Sequence, residues 1–340
     1  MKRRNLIWTV CMSGILRNEK GSVIILVTLA LTALLTMAAL VVDVGIAYCH
    51  GSRLQNAADA AVFAGGRLLP AAEWDTDKLS AIEDRIREYL EKNGVSLEEI
   101  ASIDFTDSIG GSYYGLQVSL NTQSETGFAR VLGVDSIAVD KQAGVKVRPS
   151  LSADDVVPVS VVKDELDLLL EQGQTEHIIL KYGGGDGSNG AFGAINLSGV
   201  KGGGANQYYN WILSGYTTEI AVGEKMYPIE PGNMAGPTSK AFNDRYASCT
   251  HFPEEGGCNL RRFEPTCRRV VKIPVVEYIT AHDVQIVGFA VFILEDCYAN
   301  GKAGEVQGSY VKTVINGTAD YSADADLDRE YGAYCLTLSR

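Results

Sequence analysis

The sequence predicts an α+β protein: one N-terminal transmembrane helix that runs into a small α+β unit, followed by a β-rich extracytoplasmic domain. Three observations carry this. No side chain from Val23 to Val42 is charged. Residues 71–147 hold one amphipathic segment and then segments of alternating polarity. From Ile178 onward the chain is dominated by glycine turns and runs rich in β-branched and aromatic residues. With 340 residues, 46% hydrophobic and 21% charged, the chain exceeds one ordinary domain and has the composition of a folded protein rather than a disordered one. Its 36 glycines and 16 tyrosines lean toward strands and turns.

The first element is the membrane span. At 1.5 Å per residue, the run from Val23 to Val42 covers about 30 Å, the thickness of a bilayer core. Its polar side chains are Thr28, Thr32 and Thr36, one stripe whose hydroxyls can bond back to the preceding turn or touch a neighbouring helix. A cleaved signal peptide would end in a small-x-small site, whereas here Asp43-Val44-Gly45 follows and the helical pattern continues. Lys2, Arg3, Arg4, Arg17 and Lys20 stand against Glu19 in the first segment. The positive-inside rule therefore makes 1–22 a cytoplasmic basic N-terminus, 23–42 the transmembrane helix, and the remainder extracytoplasmic, on the cell surface or in the periplasm. The first segment carries +4 of a net charge of −12, so the remainder carries −16, which argues against nucleic acid as a partner.

Beyond the span, Arg53 to Gly66 is alanine-rich and free of proline, and reads as a helix. Ala57, Ala61 and Gly65 recur every four residues, a smooth ridge for close helix packing against the protein's own body or a partner subunit. Gly65-Gly66 and then Pro70 stop it. Residues 71–95 form an amphipathic helix through Leu79, Ile82, Ile86, Tyr89 and Leu90, closed by Asn93-Gly94. Strands follow over Ile100–Phe105 and Tyr113–Leu120, then a helical turn over Thr126–Leu132 and a strand over Ser136–Val147. These complete the unit of residues 43–150. After Arg148-Pro149-Ser150, residues 151–340 read as the β-rich domain: a strand over Val156–Val162, a short acidic helix over 163–172, and strands over Val270–Tyr278, Val284–Leu294 and Val306–Val314.

The run Ala39-Leu40-Val41-Val42-Asp43-Val44-Gly45, followed by Leu54-Gln55-Asn56-Ala57-Ala58-Asp59-Ala60-Ala61, resembles the N-terminal segment of TadG-like Flp (tight adherence) pilus-assembly proteins. The likeness covers about residues 17–70, and the second half of the chain shares only a looser cadence with that family. The resemblance implies a membrane-anchored, non-catalytic, pilin-like or accessory component of a Flp-type pilus assembly system. Its partners would be other pilus-assembly or pilin subunits, met through the N-terminal helix within membrane lipid. Asn18-Glu19-Lys20-Gly21-Ser22 is also similar to a pilin-type leader junction, but Leu26 stands where ordinary pilins carry a glutamate. Many relatives hold a von Willebrand A-type domain. Asp104-x-Thr106-x-Ser108 has the spacing of its metal loop, but a strand rather than a helix follows.

No catalytic constellation emerges, and neither a cofactor nor a metal is expected. Gly185-x-Gly187-x-x-Gly190 fits a dinucleotide fingerprint, yet the segment after it reads as a strand, where the pyrophosphate needs a helix N-terminus. His50, His177, His251 and His282 do not pair at zinc spacing. Asp186, Asp244, Asp320, Asp324 and Asp326 sit in no calcium loop. Cys249, Cys258, Cys267, Cys297 and Cys335 all fall in the second domain, where disulfides suit an extracytoplasmic setting, and the first three are expected to cross-link the irregular stretch from Ala247 to Arg269. The alternative function is a surface adhesin or ligand-binding protein, for which Tyr208, Tyr209, Trp211 and Tyr216 are the candidates for an exposed aromatic patch, with core packing the favoured reading of them.

Overall fold

The computed structural model describes residues 19–181, 192–199, 204–229, 235–295, 306–319 and 330–339. It is a mixed α+β fold in which a long apolar helix leads into β-rich units with curled sheets. The expected membrane span and the alanine-rich segment are one continuous helix, α1 (Glu19–Gly66), of 48 residues. At 1.5 Å per residue it is about 72 Å long, twice what a bilayer core requires. The hydroxyls of Thr28 and Thr36 donate to the carbonyls of Ile24 and Thr32 at 2.7 and 2.8 Å, and Thr32 does the same to Thr28. The threonine stripe is therefore satisfied within the helix, and the apolar side chains of the span lie exposed around it. A buried stripe begins at Asp43 and continues through Ala47, Gly51, Leu54, Ala58, Ala61 and Gly65 at three- and four-residue steps.

After β1 (Ala71–Ala72) comes α2 (Thr76–Lys92). The Asp75 side chain accepts the Lys78 N–H and caps its start, and Ile82, Ile86 and Leu90 are buried. The strands β2 (Ile100–Ile109), β3 (Ser112–Glu125) and β4 (Ser136–Pro149) form an antiparallel meander. Gly110 and Gly111, with φ of 58° and 77°, make the two-residue turn between β2 and β3 that only such backbones fit well. Cross-strand pairs Leu116–Val145 and Val118–Ala143 face α1 and α2 and close the first core with Leu54, Ala57, Ala61 and Val62.

The second half comprises β5 (Ser152–Ala153), β6 (Val159–Val162), α3 (Lys163–Glu171), β7 (Ile178–Lys181), β8 (Phe192–Ala194), α4 (Gly204–Ser214), β9 (Ile220–Ala221), β10 (Met226–Pro228), α5 (Ala235–Ala247), β11 (Val270–Tyr278), β12 (Asp283–Leu294), β13 (Val306–Tyr310), β14 (Thr313–Val314) and β15 (Ala333–Ser339). A sheet in the order β7-β13-β12-β11-β6-β8 is built around the long β11–β12 hairpin, with β10 also on β12. The β6–β11 pair is parallel. Residues 71–75, expected to open the amphipathic helix, are instead β1 and the turn that leads to the Asp75 cap, and three larger features also depart from the sequence reading. Helices α4 and α5 stand where strands and glycine turns were expected, and Tyr208, Ile212, Ala241 and Phe242 bury them in the second core. The strand expected over Val306–Val314 is interrupted at Val311 and Lys312. Finally, β15 returns to pair antiparallel with β4, from Tyr334–Pro149 to Ser339–Gly144, so sheet membership does not follow chain order across residue 150.

Candidate functional site

Asp43 is the first charged residue past the apolar run, and it is buried. Its carboxylate accepts the main-chain N–H groups of Gly127 at 2.9 Å, Phe128 at 3.0 Å and Ala129 at 2.6 Å. These donors open the 3₁₀ turn Ala129–Leu132, whose first N–H groups lack internal partners. The Ala129 N–H above all holds the Asp43 carboxyl below its ordinary range; burial opposes it, and the Gly127 and Phe128 N–H groups add to it. The contact ties the C-terminal end of the apolar run to a turn more than eighty residues away. That turn presents Phe128, Val131 and Val134 to the outside, all exposed, and Tyr48 on α1 is exposed as well.

Of the ridge residues, Ala57 and Ala61 are buried in the first core, and a Cβ on Gly65 would stand 2.6 Å from Cγ1 of Ile86 on α2. The protein's own body occupies that face. Gln55 adds a bond from its Nε2 to the carbonyl of Gln142 on β4, at 3.0 Å.

A second constellation lies in the irregular stretch between α5 and β11. Cys249, His251, Cys258 and Cys267 converge there, with one ligand atom from each within 4.8 Å of all the others. The Sγ atoms of Cys249 and Cys267 are 3.5 Å apart, and Cys249 Sγ lies 3.9 Å from Nδ1 of His251. Each sulfur also accepts a main-chain N–H at 3.4 Å: Cys258 N–H to Cys249, Glu264 N–H to Cys258, and Arg269 N–H to Cys267. Burial pushes the Cys267 and Cys258 thiols up. Burial acts on Cys249 in the same sense, but the Cys258 N–H and then His251 and Cys267 outweigh it, so Cys249 is the most acidic of the three. The sequence test for close zinc-type pairs passed over this group. The short Cys249-x-His251 step was the available signal, and the fold brings the other two ligands to it.

The cysteines described are free thiols. Cys335 is buried elsewhere, 3.0 Å from the Ser150 hydroxyl, and Cys297 lies outside the described residues. So do Gly185, Gly187, Gly190, Asp186, Asp320, Asp324 and Asp326. Asp244 accepts the Tyr209 hydroxyl at 2.5 Å. Asp104, Thr106 and Ser108 lie along β2. Tyr208 is buried, and Trp211 and Tyr216 pack edge to face with ring centroids 5.1 Å apart. Tyr208 belongs to a core, and Tyr209, Trp211 and Tyr216, each partly buried, pack against the cores.

Residues 21–68 match the family model described as putative Flp pilus-assembly TadE/G-like. The match coincides with α1 and its capping turn, and it links this segment to Flp pilus assembly and so to other components of a pilus. No curated protein matches the chain, and no solved structure does.

Proposed function

We propose that the protein is a membrane-held, non-catalytic component of a Flp-type pilus assembly system, pilin-like or accessory, with its body outside the cytoplasm. The observation that supports this is the division of α1. Its first half is apolar and exposed on every side, while its second half is built into the body from Asp43 onward. The body covers the Ala57–Ala61–Gly65 face, which leaves the span itself, from Val23 to Val42, as the surface for lipid and for helices of other pilus subunits. Tyr48, an amphipathic aromatic of the kind that favours the bilayer interface, and the exposed apolar Phe128 lie near the end of the span. The Asp43 contact holds the Phe128 turn at that level, so that the body is seated against the membrane.

Photo-cross-linkers at Leu26, Leu29 and Leu34, in cells expressing the pilus genes, test this. Adducts with other pilus components are expected from the span, together with cleavage of the body by protease added to spheroplasts. Full piliation in a strain deleted for this chain, or a body sheltered from the protease, refutes the reading.

A further inference from the structure

We propose that Cys249, His251, Cys258 and Cys267 bind one Zn²⁺ ion as a Cys₃His structural site that pins the stretch between α5 and β11. The geometry meets the chemistry of the ion. Around a tetrahedral Zn²⁺, with sulfurs about 2.3 Å and nitrogen about 2.0 Å from the metal, neighbouring ligand atoms stand about 3.5 to 3.8 Å apart. The Cys249–Cys267 and Cys249–His251 separations of 3.5 and 3.9 Å already lie at that scale, and all four ligand atoms are within 4.8 Å of one another. A disulfide is the competing product. It brings two sulfurs to about 2.05 Å and leaves the third thiol and the imidazole without a role. A metal uses all four.

The surroundings favour bound thiolates. Each sulfur receives a main-chain N–H, which stabilises negative charge on it. Binding releases three protons, one from each thiol, while neutral His251 donates the Nδ1 lone pair and keeps its proton on Nε2. The complex then carries a net charge of −1. Arg269 is buried beside it: its main-chain N–H donates to Cys267 Sγ, and its guanidinium bonds the carbonyls of Cys258 and Tyr246 at 2.9 and 3.1 Å. Gly257 makes room for that guanidinium, since a Cβ there would fall 2.7 Å from it and the backbone has φ of +101°. The stretch it would hold contains one short 3₁₀ turn, Pro253–Glu255, and Cys258 and Cys267 anchor it in the core shared with β11 and β12. Irregular connections of this length inside a compact fold are uncommon without a staple or a function.

The test uses the full chain, extracted in detergent from cells alkylated while intact. Plasma emission spectroscopy is expected to find about one Zn²⁺ per chain. Mass spectrometry is expected to find Cys249, Cys258 and Cys267 unalkylated until a chelator removes the metal, and alkylated afterwards. The chelated protein should regain the tetrahedral Co²⁺ spectrum on titration with Co²⁺. Cys258→Ser is expected to lose the zinc and open residues 248–269 to protease, whereas His251→Cys, which supplies a fourth sulfur, keeps both metal and protection. Should Cys258→Ser fail to fold, the Co²⁺ titration of the wild-type chain decides. A disulfide among the three cysteines in the cell-derived protein, or a wild-type chain that takes up neither Zn²⁺ nor Co²⁺, overturns the proposal.

Discussion

The two halves of α1 are one helix in two solvents. From Val23 to Val42 the side chains are mostly large, apolar and exposed; from Asp43 to Gly66 the inward side chains are mostly small and buried. In the first half, hydrophobicity is uniform around the axis, as a helix surrounded by a bilayer requires. In the second half, alanine and glycine dominate because α2 and the β3–β4 surface approach the backbone closely. Residue size, more than polarity, marks where the exposed apolar run ends and the helix enters the body.

The same substitution on either side of Asp43 should separate the two environments most strongly. Leu54 is 2% exposed and Leu34 is 65% exposed. Leu54→Ala removes packed atoms from the first core and is expected to cost about 2–5 kcal/mol of body stability. Leu34→Ala touches no protein atom of the body and is expected to change it by less than about 0.5 kcal/mol. Denaturant titration in detergent, followed by the fluorescence of the body, measures both. Equal effects would mean that the span is packed against the body and that the division drawn here is wrong.

A smaller effect tests whether residue size at the ridge is set by α2. A methyl group on Gly65 would lie 2.6 Å from Ile86 Cγ1 and 2.9 Å from its Cδ1. Gly65→Ala is therefore expected to destabilise the body by about 1–3 kcal/mol through overpacking. Ile86→Ala removes both of those atoms, and the double variant should be more stable than the two single effects summed. Additive losses in the denaturant titration would show that the helix shifts to absorb the methyl group, and that glycine is not needed there.

The sequence disclosed those parts of the fold whose signal is local. The β11–β12 hairpin, the β2–β4 meander and α2 show their periodicity in single runs such as Val270–Tyr278 and Leu79–Leu90. Helices α4 and α5 were hidden because Gly204, Gly236 and Pro237 sit in their first turns and each buries only a few residues, Tyr208 and Ile212 in α4. The return of β15 to β4 is a pairing of distant segments, and neither strand carries a mark of its partner. The Cys/His group was missed for the same reason: spacings of nine residues between cysteines become ligand-scale distances only after the chain folds around Arg269. The Ala57–Ala61–Gly65 ridge was plain as a ridge, but what would cover it was not, because own body and partner helix ask for the same small residues.

Asp43 marks the boundary between the halves, and it should give the smallest effect of the three. Asp43→Asn keeps the shape and one acceptor oxygen but loses the charge that draws the N–H groups of Gly127, Phe128 and Ala129. The body should remain folded, with a modest loss of stability and earlier proteolysis around Phe128. The sign of the pH dependence follows from the lowered carboxyl pKa. Folding favours the ionised form, so the contribution is fully present above the unfolded value, near 3.8, and is lost as the pH falls through the lower folded value. Wild-type and Asp43→Asn chains should therefore differ in stability at neutral pH and converge in strong acid, below the range where an ordinary aspartate titrates. A gap between them that stayed constant from neutral pH down into that range would show that Asp43 acts by shape alone, and that charge has no part in joining the span to the body.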